Sequence, residues 1–255
     1  MNEIMVDTVT DIDMILDESN VEVLDIGVTK LDLVDRLIKD LVVKRERDEV
    51  TDTILLLSHE PVLTVGARQL NPDDLLRPLH EFKKDGIELV KTGRGGGLTY
   101  HWPGQLNCYP ILKLRSEERN ISDYMYKLEE IGLRTLKSFG IDAKRKRDKT
   151  AQIGLWHNDM KIASMGISVS RWVTSYGFAL NLMGDLEPSR HIRPCGLKDV
   201  KLITMSSVLG YDPDREMVKR EVLHNFANVF KRNLNFQGQI ASGNKVYGHE
   251  SRISV

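Results

Sequence analysis

Residues 87–114 read IELVKTGRGGGLTYHWPGQLNCYPILKL, a run of short apolar segments divided by turn-forming residues. The segments 87–90, 98–101 and 106–114 have the length and composition of buried strands. A glycine-rich run, 93–97, separates the first two, and Pro103-Gly104 separates the second from the third. Since glycine and proline mark turns, this stretch predicts three strands separated by a glycine-rich loop and by a turn.

Further strands are predicted on both sides of this stretch, and helices are interspersed among them. Helices are indicated by apolar residues that recur every three to four positions, and strands by short apolar runs. The predicted helices cover 29–42, a short segment from Asn71, 122–139 and a segment from about 212 to 230; the other predicted strands cover 53–57, 62–65, 153–156, 160–173 and 178–182. Because this order has no strict βαβ repeat, it predicts a mixed α/β (α+β) fold with flanking helices.

The sequence shows no sign of a boundary between domains. It contains no internal repeat and no linker rich in Pro, Gly or Ser. We therefore expect a single domain over 1–255 with its core at residues 20–235. The acidic segment before Asn20 and the extension after Ser242 are expected to be peripheral.

Composition excludes several classes of protein. The 255 residues carry 36 Lys and Arg against 37 Asp and Glu, which argues against a general nucleic-acid-binding surface. Two cysteines cannot build a disulfide framework, and no apolar run approaches the ~20 residues of a membrane-spanning helix. The first 20 residues hold six acidic and no basic residues, unlike a secretory or mitochondrial presequence. A soluble intracellular protein is expected.

The glycine-rich run Gly93-Arg94-Gly95-Gly96-Gly97 invites comparison with phosphate-binding loops. Its spacing fits neither a P-loop nor a dinucleotide fingerprint, and both of those open a helix, whereas a strand is predicted here. A tight hairpin is the ordinary interpretation. The alternative is a loop whose backbone approaches an extended ligand, and three consecutive glycines favour that alternative.

Two residues are candidates for nucleophilic and acid–base chemistry. Cys195 follows a proline in a loop with Arg190 and Arg193, and cationic neighbours favour the reactive thiolate; Cys108, within an apolar strand, is predicted to be a buried hydrophobe. Lys161 opens a largely apolar segment, where it is either a strand-end lysine facing water or a partly desolvated amine able to act as a base. The seven histidines show no metal-ligand spacing, so no metal site or cofactor is predicted.

Four blocks of sequence together resemble the octanoyltransferase (lipoate-protein ligase B) family. They are 59–66 (HEPVLTVG), 94–105 (RGGGLTYHWPGQ), 161–181 (from KIA through VSR to GFALN) and 194–196 (PCG), and their order and spacing also fit. The resemblance covers residues 50–210 and implies a lipoate/biotin protein ligase-like fold. It implies transfer of an octanoyl group from octanoyl-acyl carrier protein to a lysine of lipoyl domains, as in 2-oxoacid dehydrogenase complexes and the glycine cleavage H protein.

The resemblance also assigns roles to residues. Cys195 would form an acyl-enzyme thioester and Lys161 would be its base. The residues it assigns to substrate binding are Arg94, Gly95, Gly96, Gly97, Leu98, Thr99, Tyr100, His101, Met165, Gly166, Ile167, Tyr176, Gly177, Phe178 and Ala179. The basic run Lys144–Arg147, or Arg94, is a candidate for docking the acidic carrier protein.

The sequence departs from the family pattern at two positions. Trp102 replaces a glycine, and its indole is expected to narrow the acyl pocket. Tyr176 replaces a histidine and cannot hold a proton near neutrality as histidine can.

Two alternatives to the acyltransferase remain. One is an ATP-dependent lipoate or biotin ligase of the same fold, and the other is a non-catalytic protein that binds acyl carrier or lipoyl domains. The family functions in the bacterial cytoplasm or in the mitochondrial matrix of eukaryotes, and the composition suggests a mitochondrial member.

Overall fold

Two β-sheets form the framework of the chain in the computed structural model, which describes residues 19–146, 153–197, 200–237 and 251–253, with the backbone alone at 195, 237 and 251–253. The strands are β1 (Asn20–Thr29), β2 (Asp52–His59), β3 (Val62–Val65), β4 (Glu88–Lys91), β5 (Leu98–His101), β6 (Gln105–Ile111), β7 (Lys144–Arg145), β8 (Gly154–His157), β9 (Met160–Ser170), β10 (Val173–Asn181), β11 (Asn233–Gln237) and β12 (Ser251–Ile253). The helices are α1 (Leu31–Glu46), α2 (Leu79–Lys84), α3 (Ile121–Ser138), α4 (Met205–Leu209) and α5 (Arg215–Phe230). In this part of the chain, no helix is long and apolar enough to cross a membrane.

The strand order gives one large and one small sheet. The large sheet runs β12-β11-β1-β2-β6-β10-β9-β8-β7, and the small one runs β4-β3-β5. β1 is parallel to both β2 and β11, and β3 is parallel to β4. The other pairings, including β6 with β10 and β10 with β9, are antiparallel. The predicted mixed α/β fold with flanking helices is therefore confirmed.

Strand β2 shows how the large sheet is covered on both faces. Successive side chains of a strand point to opposite faces. Ile54 and Leu56 accordingly join the core beneath α3 and α5, whereas Leu55 and Leu57 join the cluster beneath α1. All eight residues of β2 are buried, which explains why its sequence is a continuous apolar run rather than an alternating one.

A third apolar cluster belongs to the small sheet. Phe82 of α2 packs there with Leu63 of β3 and with Leu98 and Tyr100 of β5. The small sheet thus has its own core, and one face of β5 is committed to it.

One predicted element is wrong. The sequence predicts a single strand over 160–173, but β9 ends at Ser170 and the chain reverses at Arg171-Trp172 into β10. Both turn residues have positive φ, +45° and +66°, as the two central residues of a type I′ turn do. The two strands pair along their length, with Ser170 opposite Val173 and Ala163 opposite Leu180. This hairpin brings the 161–181 sequence block together in space.

Candidate active site

The glycine-rich run forms a loop held by its own arginine. Arg94 is 8% exposed, and its guanidinium donates to the carbonyl oxygens of Gly95 (3.0 Å), Gly97 (2.9 Å) and Thr64 (2.9 Å). These bonds fold the loop back over β3. Arg94 is therefore a structural residue of the loop, and its burial corrects the expectation that it docks a carrier protein.

The loop is also bound to two of the other sequence blocks. A Cβ at Gly66 would lie 2.6 Å from the carbonyl oxygens of Arg94 and Gly96, so only glycine fits beside the loop at this point. On the other side, the Gly95 amide donates to the carbonyl oxygen of Ile167 in β9 at 2.7 Å. Gly96 has φ +89°, a conformation that glycine adopts freely. Blocks 59–66, 94–105 and 161–181 thus meet at one place.

A small cavity of about 30 Å³ lies where these blocks meet. Its lining includes Thr99 and His101, while Leu98 and Tyr100 point into the core of the small sheet, as the two-residue period of β5 requires. The residues that line it are Arg94, Thr99, His101, Tyr109, Ser164, Met165, Gly166, Tyr176, Gly177, Phe178 and Ala179.

The placement of the residues assigned to substrate binding follows from this lining. Nine of them line the cavity: Arg94, Thr99, His101, Met165, Gly166, Tyr176, Gly177, Phe178 and Ala179. Gly95, Gly96, Gly97 and Ile167 form the loop and its backbone contact rather than the cavity wall. Tyr109 and Ser164 line the cavity without having been singled out. Both belong to predicted strands, and nothing in the local sequence shows which strand faces carry the cavity.

The two departures from the family pattern occupy different environments. Trp102 is buried in the small-sheet core, stacks on Tyr100 at 5.5 Å between ring centres, and donates from Nε1 to the Met183 carbonyl oxygen at 2.8 Å. Its indole does not line the cavity, and the expectation that it narrows the acyl pocket stays a prediction. Tyr176 does line the cavity, and its hydroxyl accepts a hydrogen bond from the Gly93 amide.

Lys161 is buried near the start of β9. Its side chain lies against Gly154 of β8, where an added Cβ would be 2.6 Å from Cε and 3.3 Å from Nζ. The amine is 5.6 Å from the ring centre of Trp156. Of the two interpretations of this lysine, the structure supports the desolvated amine and contradicts a strand-end residue facing water.

Cys195 lies in a short 3₁₀ helix, Pro194–Gly196, that packs against β5. The residue before this helix, Arg193, donates its backbone amide to the Asp74 carbonyl oxygen at 2.7 Å. Residues 201–203 then lie beside Lys161. The Lys161 amide donates to the Lys201 carbonyl oxygen at 2.8 Å, and the Ile203 amide donates to the Lys161 carbonyl oxygen at 3.1 Å. The structure therefore joins the backbone around Lys161 to the segment that follows Cys195.

Asn181 of β10 stabilises the junction between Lys161 and the segment that follows Cys195. Its Nδ2 donates to the carbonyl oxygens of Lys161 (3.2 Å) and Ile203 (3.0 Å), and its Oδ1 accepts from Gln105 Nε2 at 3.0 Å. Gln105 Oε1 must then accept from Nδ1 of His101, 2.6 Å away. A buried chain of hydrogen bonds thus runs from the backbone carbonyl of Lys161 to His101 in the cavity wall.

This chain fixes the tautomer of His101. With its proton on Nδ1, the ring carries its lone pair on Nε2. Burial lowers the pKa of His101 well below the usual value, and the nearby His59 ring, 5.3 Å away between centres, lowers it further. Burial also lowers the pKa of His59, to about 4. Both imidazoles are neutral at neutral pH, so the cavity wall has hydrogen-bonding groups but no imidazolium.

Asn181→Ala is expected to lower the free energy of unfolding by about 2–4 kcal/mol, because it leaves buried Gln105 Nε2 without its acceptor and removes two donors. The melting temperature should fall by about 5–10 °C, as thermal unfolding will show. Asn228→Ala is the matched control, since this half-buried helical asparagine bonds only within its own turn in the described structure. Equal melting temperatures for the two variants would contradict the role given to Asn181.

A larger cavity of about 580 Å³ adjoins the 3₁₀ helix of Cys195. Its wall includes Arg193 and Leu197, on either side of that helix, together with Arg190 and Lys201. In the basic run, Arg145 is paired with Glu129 and Glu130 and Lys146 with Asp159, while Lys144 is exposed; Arg147 lies outside the described residues. Three basic residues on either side of Cys195 in sequence, Arg190, Arg193 and Lys201, thus line a cavity.

Comparison with known proteins gives matches to a family model, to curated relatives and to a solved structure. Residues 33–227 match the model of the lipoyl protein ligase A/B catalytic domain. An octanoyltransferase of Caldicellulosiruptor bescii is 40% identical over 197 residues, which is 76% of this chain and 85% of that protein. One of Desulforamulus reducens is 37% identical over 191 residues, 74% and 82% of the two chains. A lipoic acid complex of a Thermoplasma acidophilum protein described as a lipoate protein ligase superposes with a TM-score of 0.70 over 88% of this chain and 90% of that one; at 17% identity this likeness shows the fold alone.

Proposed function

The chain belongs to the lipoyl protein ligase A/B catalytic-domain family, as an acyltransferase of its octanoyltransferase group, and from this premise we propose that it transfers octanoyl from acyl carrier protein to lipoyl domains through a thioester on Cys195. The observation that carries the proposal is the backbone junction between Lys161 and the segment after Cys195, beside the cavity of the glycine-rich loop. We take residues 1–255 as one catalytic unit whose core is 20–235.

In the first step, Cys195 Sγ attacks the thioester carbonyl of the donor. Lys161 takes the thiol proton, and the phosphopantetheine thiolate that leaves recovers a proton from Lys161. One thioester bond breaks and one forms, so the exchange is nearly balanced and needs no ATP. Cys195 then carries the octanoyl group.

In the second step, the amine of the acceptor lysine attacks the Cys195 thioester. The amine loses its proton to Lys161, and the Cys195 thiolate leaves. An amide replaces a thioester, which makes this step favourable. The acceptor is a lipoyl domain, of the kind carried by 2-oxoacid dehydrogenase complexes and the glycine cleavage H protein.

The two cavities suit the two parts of the donor. The octanoyl chain enters the cavity at the glycine-rich loop, where its burial contributes on the order of 5 kcal/mol at ~0.8 kcal/mol per methylene. The phosphodiester of the carrier's arm approaches the larger cavity, whose wall carries Arg190, Arg193 and Lys201. Both relatives named above are bacterial, so of the two compartments considered we favour the bacterial cytoplasm.

The test is intact-protein mass spectrometry after mixing with octanoyl-acyl carrier protein. We expect one octanoyl increment on the chain, discharged when a lipoyl domain is added. Lipoyl-domain octanoylation from free octanoate and ATP, with no increment on the enzyme, would instead indicate the ligase. Binding of the carrier without any increment would indicate the non-catalytic alternative.

A further inference from the structure

Tyr176 has a backbone conformation that sets it apart from its strand. Its φ is +55°, whereas extended residues have negative φ. By the two-residue period Tyr176 would share a face with Phe178, but Phe178 packs beneath α3 and α5 while Tyr176 joins the cluster beneath α1. A non-glycine residue in this region costs on the order of 1–3 kcal/mol, and such residues persist where their surroundings fix them.

The surroundings of Tyr176 hold its ring in place. Its hydroxyl donates to Oδ1 of Asp35 in α1 and accepts from the Gly93 amide of the glycine-rich loop at 3.2 Å. Asp35 is in turn paired with Lys39 at 2.6 Å. The ring meets Tyr109 edge to face, 5.9 Å between centres. The side chain therefore bridges α1 and the loop beside the cavity that it lines.

The cavity is small for the chain it is proposed to bind. About 30 Å³ is the share of one water molecule, and an eight-carbon chain needs several times more. Some lining side chains must therefore move on binding. Met165 is unbranched and adapts readily, whereas Tyr176 is held by two hydrogen bonds and a ring contact. Tyr176 is thus a fixed part of the cavity wall.

The distance along β9 from Lys161 to the residue opposite Tyr176 exceeds the length of the substrate. Tyr176 pairs with Ile167, six residues along β9 from Lys161, or about 20 Å at ~3.3 Å per residue. The cavity residues Ser164 to Gly166 lie between these ends. An extended octanoyl chain is roughly 10 Å long from C–C bonds of about 1.5 Å.

We propose that Tyr176, fixed by Asp35 and Gly93, is the specificity-determining residue that closes the acyl cavity and limits the acyl chain to about eight carbons. This inference rests on the proposed function, because it assumes that the acyl chain occupies this cavity.

The experiment measures kcat/KM for acyl-enzyme formation with hexanoyl-, octanoyl-, decanoyl- and dodecanoyl-acyl carrier protein. In the wild type, decanoyl should react at least tenfold more slowly than octanoyl, the size of discrimination expected for extra methylenes. Tyr176→Gly removes the ring and suits the positive φ, so it should raise the decanoyl-to-octanoyl ratio at least tenfold. Tyr176→Ala is a second variant with the same expectation, and thermal unfolding will show that each is folded.

Trp102→Leu is the matched control, because it removes a buried aromatic ring outside the cavity. Its decanoyl-to-octanoyl ratio should equal that of the wild type. Folded Tyr176 variants that keep the wild-type ratio would overturn the role of Tyr176, even with octanoyl transfer intact. A wild type that forms no acyl-enzyme with any donor would instead refute the proposed function.

Discussion

Cys195→Ser is expected to abolish the acyl-enzyme and to lower octanoyl transfer by a factor on the order of 10⁴ or more, as the loss of a covalent nucleophile does. A serine hydroxyl is a much weaker nucleophile than a thiol and exchanges poorly with a thioester. The backbone of the Pro194–Gly196 helix makes its hydrogen bonds regardless of the side chain at position 195. Single-turnover mixing with octanoyl-acyl carrier protein, read by intact mass, measures the effect.

The second cysteine of the chain provides the control. Cys108 lies in the middle of β6 and is fully buried, and burial strongly raises the pKa of its thiol. Cys108→Ala removes one sulfur from the core and should cost stability while leaving the octanoyl increment in place. Acylation that survives Cys195→Ser and disappears in a folded Cys108→Ala protein would reverse the assignment of the nucleophile.

The two β-turns of the 153–181 region show what the sequence could predict of the fold. Asn158 and Asp159 both have positive φ, and Asn and Asp tolerate that conformation, so a turn was predictable between β8 and β9. Arg171 and Trp172 adopt the same conformation, but neither residue type favours it. At Arg171-Trp172 the pairing of β9 with β10 determines the turn. No local signal in the sequence shows where β9 ends.

Helix α1 shows that the local sequence also does not decide which apolar side chains are buried. Its sequence offers two apolar stripes, yet only Val34 and Ile38 of those stripes are buried, while Leu33 is 51% exposed. Which stripe meets the sheet depends on strands that pair over long distances. β1, which the sequence analysis did not identify, pairs in parallel with β11 more than 200 residues away.

For the candidate site, the motifs predicted the loop and most of the cavity lining, because those residues are adjacent in sequence. The partners that hold them were not predictable. Asp35, which fixes Tyr176, comes from a helix that no motif marks, and Asn181 acts on Lys161 through the backbone. Such contacts arise from the folded arrangement of the strands and not from residue spacing.

Lys161→Met is expected to slow acyl-enzyme formation at neutral pH by a factor of about 10²–10⁴, the usual contribution of a general base. Methionine is unbranched and of similar length, so it fills the space beside Gly154 without an amine. The backbone bonds of position 161 to Lys201 and Ile203 are unaffected. The measurement is the single-turnover acylation rate as a function of pH. In the variant the rate should recover partly at alkaline pH, because a thiol then ionises without the help of a base.

Lys161→Arg separates proton transfer from charge. Arginine carries a positive charge at position 161 but does not accept a proton at these pH values. If Lys161 acts as a base, the arginine variant should be as slow as the methionine variant and should recover in the same pH range. An arginine variant that acylates at the wild-type rate would mean that Lys161 contributes only its charge, stabilising a thiolate that forms by itself. The two variants together therefore decide how the proton leaves the thiol.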